Sequence, residues 1–216
     1  MPTQTLHTAT LTADPRPLFA KALQIATPMI EGVRPDQIDL ASPCVDFNVR
    51  EILDHLVFVL HRVAKLCRGE QAFAPATMAG DVIEHKDWSA DWRAAEVNVN
   101  AAAAPDDVLS RTVVLPWATM SGAEMLATYI AEITTHTWDL ATATGQHPEW
   151  DDAICQLSLD TMKRELPIAD RGPIWEAFRA NAPANIQFDA PFANAVAVGT
   201  DAPLIEQLVA WTGRQP

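Results

Sequence analysis

Ser121-Gly-Ala-Glu124-Met-Leu-Ala-Thr-Tyr-Ile-Ala-Glu132-Ile-Thr-Thr-His136-Thr-Trp-Asp139-Leu-Ala-Thr-Ala-Thr144-Gly145 decides how this chain is read. Ser121 with Glu124 three residues later is a helix-start signature, because each side chain can bond the other's backbone N–H. Gly145 is a stop signal, since glycine takes the left-handed conformation that ends helices. The stretch between is mostly apolar, yet it carries Glu132, His136 and Asp139. Glu132 and His136 lie one turn apart, about 40° from each other on one face. A carboxylate and an imidazole at that spacing can grip one divalent metal. A carboxylate inside an apolar helix is costly to bury unless it is paired or metal-bound.

A third ligand is on offer from an earlier helix. Asn48 with Glu51 forms a second capping pair, Phe47 is placed to staple against Ile52, and Gly69 ends the pattern. Ile52, His55, Leu56, Val59, Val63 and Leu66 share one face, so His55 points inward. His61 falls on another face with Asp54, Phe58 and Lys65. A helical pair plus one histidine from a neighbouring helix makes a three-ligand site with open positions, suited to chemistry rather than structure alone. A plainer reading stays open. An inward histidine is usually a hydrogen-bonded core residue, and a glutamate–histidine bond would satisfy both groups without metal.

The rest of the chain supplies the remaining helices. Asp14-Pro15 opens the first, with Leu18, Ala22, Ile25 and Met29 as its stripe and Pro28 bending its end. Residues 32–47 form a connection and 70–86 a loop. The third helix runs over 89–103 on Trp88, Trp92, Ala95, Val99 and Ala102, and Pro105 stops it. Residues 111–115 read as a short extended piece. A fifth helix runs from Asp151 to Leu166, residues 167–199 are irregular, and a last helix runs from Thr200 or Asp201 to Gly213 with Pro203 in its first turn. The reading is a single all-α domain: an up-down four-helix bundle with helices near 15–30, 48–68, 89–103 and 121–144. The bundle core spans about 14–146, with a C-terminal helical and irregular extension over 147–216.

Composition narrows the function. Among 216 residues, 28 acidic side chains face 15 basic ones, for a net charge of −13. Such a field repels phosphate backbones and anionic lipid, which argues against nucleic-acid or membrane partners. No run of about 18 apolar residues exists, so no membrane span is expected. The first 15 residues lack the basic start and apolar core of a secretion signal. Cys44, Cys67 and Cys155 are far apart without a CxxC, which suggests neither a disulfide framework nor a zinc ribbon. A reducing cytoplasm fits these features.

Three stretches carry a resemblance: Pro43-Cys44-Val-Asp-Phe47-Asn-Val-Arg-Glu-Ile-Leu-Asp-His55-Leu56, Glu132 through Gln146, and the ending Asp201-Ala-Pro203 to Pro216. Together they resemble the DinB-like superfamily of four-helix metal-binding proteins. Within it, the chain is most similar to the mycothiol-dependent maleylpyruvate isomerase metal-binding domain and to an actinobacterial metal-binding family of that type. The resemblance implies metal held by a histidine of the second helix and by a carboxylate and histidine of the fourth, here His55, Glu132 and His136. It implies a low-molecular-weight thiol, mycothiol or a similar one, as cosubstrate with a small-molecule substrate, and pairing into a homodimer. Phe47 stands where that family usually has tryptophan, a change expected to touch packing more than chemistry.

Two imidazoles and one carboxylate suit zinc or nickel. The expectation is therefore a thiol-dependent isomerase or transferase. The alternatives are a non-enzymatic metal-binding or stress-response protein, or a metal-free helical interaction module. Asp139 reads either as a carboxylate supporting His136 or as one half of a helix salt bridge. Cys44 reads as a buried small hydrophobe or a reactive thiol. His7, His85 and His147 read as solvated.

Overall fold

The computed structural model describes residues 13–72, 87–115, 118–181 and 192–216, excluding the side chains of 177–181. From residue 73 onward the expected loop at 70–86 lies outside the described residues, as do His7 and His85. The described chain is mainly helical: α1 (Arg16–Glu31), α2 (Val49–Cys67), α3 (Trp88–Ala103), short α4 (Asp107–Ser110), α5 (Gly122–Thr144), α6 (Asp152–Glu165), α7 (Gly172–Asn181) and α8 (Leu204–Trp211).

The capping residues set the two site-bearing helices in place. The Asn48 side chain accepts the Glu51 N–H at 3.0 Å, and Glu51 returns a bond from the Asn48 N–H at 2.7 Å. Ser121 and Glu124 repeat the arrangement at the head of α5. Gly145 closes α5 with φ of 69°, a conformation costly for any residue bearing a Cβ. Gly122 has a different reason to be glycine: a Cβ there would lie 1.9 Å from the Val108 carbonyl oxygen.

Helices α1, α2, α3 and α5 form the bundle. Their contacts run around a ring in the order α1, α3, α2, α5. Consecutive helices α1 and α2 are therefore not principal neighbours, and the connection after Glu31 crosses between them. It contains a 3₁₀ turn at Pro35–Gln37, whose Gln37 side chain donates to the Thr144 carbonyl at the end of α5. Between α3 and α5 sit α4 and an antiparallel hairpin, β1 (Thr112–Val114) on β2 (Thr119–Ser121), with Val113 opposite Met120. The extended piece expected at 111–115 is thus one arm of a hairpin.

Leu23, Ile52, Leu56, Leu60, Trp92, Met125, Ile130 and Ile133 are fully buried in the main core. In α1 the buried stripe is Phe19, Ala22, Leu23, Ala26 and Ile30, so Leu18, Ile25 and Met29 lie at its margin. That turns the expected face by about one residue, because α1 packs against both α3 and α5 and buries a wide arc. Pro28 sits inside α1 without ending it. A second apolar cluster joins Ala131 of α5 to Leu159 and Met162 of α6, Trp175 of α7, and Leu208 and Val209 of α8.

Two expectations on the C-terminal side are corrected. Residues 172–181, expected to be irregular, form α7, and the last helix begins at Leu204 rather than 200 or 201. Gly199 to Ala202 make a turn instead, with the Ala202 N–H bonded to the Gly199 carbonyl. Among the described residues no helix is long and apolar enough to cross a membrane.

Gly122→Ala should lower stability by about 1–3 kcal/mol, because backbone rather than a flexible side chain meets the added carbon. Gly172→Ala, which opens onto empty space, should change it by less than about 0.5 kcal/mol. Urea midpoints for the two variants check this contrast.

Candidate metal centre

α5 is buried along almost its whole length, and its polar residues line up one turn apart: Thr128, Glu132, His136, then Asp139. The α2–α5 contact brings His55 across to them. His55 Nε2 lies 2.9 Å from Glu132 Oε1, and His136 Nε2 lies 3.7 Å from the same oxygen. One potential ligand atom from each of the three residues falls within 4.8 Å of the others. The two imidazole rings meet edge to face at 4.7 Å between centroids. The side chains of His55 and Glu132 are 17% and 20% exposed, whereas His136 is 4% exposed, so the trio opens outward on the His55–Glu132 side.

The donor set fits a divalent metal. Two ring nitrogens and one carboxylate oxygen converge, and each can offer a lone pair to one ion. The other nitrogen of His136, Nδ1, lies 3.0 Å from Asp139 Oδ2. That bond orients the ring with Nε2 toward Glu132, the arrangement in which a carboxylate fixes the tautomer of a ligating histidine. Asp139 is fully buried, and it also receives Arg214 in a forked pair, Nε to Oδ1 at 3.2 Å and a terminal nitrogen to Oδ2 at 3.0 Å. Asp139 therefore both supports His136 and forms an ion pair, with a residue 75 positions away rather than a helix neighbour.

Cys44, His136 and Asp139 make a second convergent set. It suits a cation poorly, because the Arg214 guanidinium already occupies Asp139. Burial pushes the Cys44 thiol up to about 11, so at neutral pH it stays protonated and behaves as a small buried hydrophobe. Phe47 does more than staple a helix start. Its ring lies 5.0 Å from the His55 ring and 5.8 Å from the His136 ring, covering the trio from one side. His61 belongs to neither convergent set, and His147 is exposed beyond the end of α5.

Electrostatics follow from burial and these bonds. Burial alone would raise Glu132, but its bonds to His136 and His55 outweigh that and hold it well below the usual 4.5. Burial dominates at His55 and lowers it, so this ring is neutral with a lone pair to offer. At His136 burial is overcome by the bonds to Asp139 and Glu132, which push it up to about 9. Asp139 is held down by His136 and Arg214 against the effect of burial.

The family model of the mycothiol maleylpyruvate isomerase N-terminal domain matches residues 19–141, which include all three converging residues and Asp139. The chain belongs to that family. Two uncharacterised proteins of Mycobacterium tuberculosis, from strains CDC 1551 / Oshkosh and ATCC 25618 / H37Rv, are each 26% identical over 201 residues. The alignment covers 93% of this chain and 98% of each relative. No solved structure matches the chain significantly. Arg214 lies beyond the stretch that the family model covers, so the extension contributes a buried charge to the family's bundle.

Metal uptake should displace protons. In the metal-free fold His136 titrates near 9 against an ordinary 6.5. Its contribution to stability is complete below 6.5 and is lost as pH rises through about 9. Metal affinity should rise over that window, and calorimetry in two buffers of different ionisation enthalpy should show about one proton released per ion near neutral pH. A second test targets Asp139. Asp139→Ala strands the Arg214 charge and should cost about 3–5 kcal/mol in a denaturant titration. It should also weaken metal binding about 10–100-fold.

Proposed function

We propose that this chain is a divalent-metal enzyme of the thiol-dependent isomerase or transferase kind, with His55, Glu132 and His136 as its metal ligands and zinc or nickel as the ion. The observation that carries this is the convergence of two imidazoles and a carboxylate from two helices, open to solvent on one side. The family's name supports a thiol partner, with mycothiol or a similar small thiol acting as cosubstrate.

A divalent ion at these ligands supplies Lewis acidity, polarising a carbonyl or lowering the pKa of a bound thiol. The chain's own groups prepare the place. Glu132 brings one full negative charge between two rings. His55 is kept neutral by burial. His136 is held in orientation by Asp139, which Arg214 holds in turn. Phe47 lies against both rings from one side. The reaction takes place in the cytoplasm, where small thiols stay reduced, and pairing into a homodimer accompanies it.

The 2.9 Å contact between His55 and Glu132 favours one competing reading, a metal-free module in which the pair satisfies itself. Protein purified without chelator or tag-derived nickel separates the two. The metal reading expects about one divalent ion per chain, retained in His61→Ala and lost in a Glu132→Ala, His136→Ala double variant. It also expects turnover of small-thiol conjugates that depends on the ion. A metal-free wild type, or full occupancy in the double variant, contradicts the reading.

A further inference from the structure

Two arginines of the C-terminal extension are buried, and they differ in what answers their charge. Arg214 is 4% exposed and meets Asp139 through two of its nitrogens. Arg171, just before α7, is 1% exposed, and among the described residues no carboxylate pairs with it. Backbone holds its side chain instead. Nε donates to the Pro167 carbonyl at 2.6 Å, and Nη1 donates to the Ala193 carbonyl. The other terminal nitrogen, Nη2, is buried and has no hydrogen-bond partner among the described residues.

A guanidinium keeps its proton in proteins, so Arg171 carries a charge that nothing described here offsets. A buried charge in that state is costly. Burial is the one influence on it, and burial lowers its pKa. The chain is not short of acid, with 28 acidic side chains against 15 basic ones. Yet the adjacent Asp170, with φ of 58°, lies exposed. The surroundings of Arg171 are aromatic and basic. Its guanidinium carbon lies 5.7 Å from the centroid of the Trp211 ring, and Lys163 Nζ lies 5.6 Å from the same centroid. Two cations thus share one indole. Next in the chain, Gly172 is exposed, and a Cβ there would meet nothing within 4 Å, which leaves open room beside Arg171. Positive charge, an apolar wall and N–H donors without acceptors are what an oxyanion requires.

We propose that Arg171 anchors an oxyanion site in the C-terminal extension, where Nη2 donates to a carboxylate or phosphate oxygen beside the Trp211 ring. The site draws on α6, α8 and the turn before α7, and none of His55, Glu132 and His136 enters it. It therefore stands or falls separately from the metal centre.

Calorimetric titration of inorganic phosphate, and separately of acetate, into the full-length protein tests this, with chloride holding the ionic strength constant. Saturable binding of one of the two to wild type is expected, and the anion that binds distinguishes a phosphate ligand from a carboxylate one. Arg171→Lys keeps a charge but loses the second terminal nitrogen, and should weaken binding about tenfold. Arg171→Met keeps an apolar stem without charge and should abolish it. The anion should also raise the urea midpoint of wild type and not that of Arg171→Met, because it binds the folded chain alone. Near-ultraviolet circular dichroism, to which Trp175 and Trp211 contribute, identifies variants whose extension is still folded, and metal content should be unchanged in them. A wild type that binds neither anion overturns the site, and that result needs no variant to fold. Equal affinity in wild type and a folded Arg171→Lys or Arg171→Met overturns it as well.

Discussion

The structure depends on one constraint: a carboxylate, Glu132, set in the middle of a helix that is buried on almost every side. A charge there is tolerable only if its neighbours answer it. His136 answers from the next turn of the same helix, and His55 answers from α2. The ring of contacts that places α2 beside α5 is therefore more than apolar packing, because it also delivers His55 to a charge that the core cannot leave alone.

From there the constraint spreads outward. His136 needs Asp139 at its second nitrogen, and buried Asp139 needs a cation. That cation, Arg214, stands two residues before the end of the chain, just after α8. Its approach is guided by the second apolar cluster, in which Trp211 Nε1 bonds the Met162 carbonyl and α8 packs along α6. The C-terminal extension is thus tied to the centre through a chain of hydrogen bonds as well as by burial. Breaking that chain at Asp139 leaves two polar groups stranded, which is why a single truncation there should affect stability and metal affinity together.

Much of this was legible in the sequence for local reasons. Asn48 with Glu51 and Ser121 with Glu124 are signals within four residues, and helices α2 and α5 start where they indicate. The four-residue spacing of Glu132 and His136 and the inward phase of His55 likewise follow from helix geometry alone, and these three residues do converge. What sequence reading missed depends on distant partners. Arg214 had no local sign of being buried, since its partner lies 75 residues earlier. Phe47 read as a staple because its position against two rings from different helices is set by the bundle. α7 was missed because proline-rich flanks hid a helix of ten residues, although Pro173 after Gly172 is a fair start signal. The α1 stripe was turned because a helix touching two neighbours buries a broader arc than one stripe describes.

The central claim is that the ion's ligands are nitrogen and oxygen from His55, Glu132 and His136, and not the thiol of Cys44 beside them. X-ray absorption at the metal edge of zinc- or nickel-loaded protein reads this directly. The account predicts a first shell of nitrogen and oxygen at about 2.0–2.2 Å, with the imidazole scattering of two histidines and no sulfur. A sulfur scatterer near about 2.3 Å would place the ion on Cys44 and contradict it.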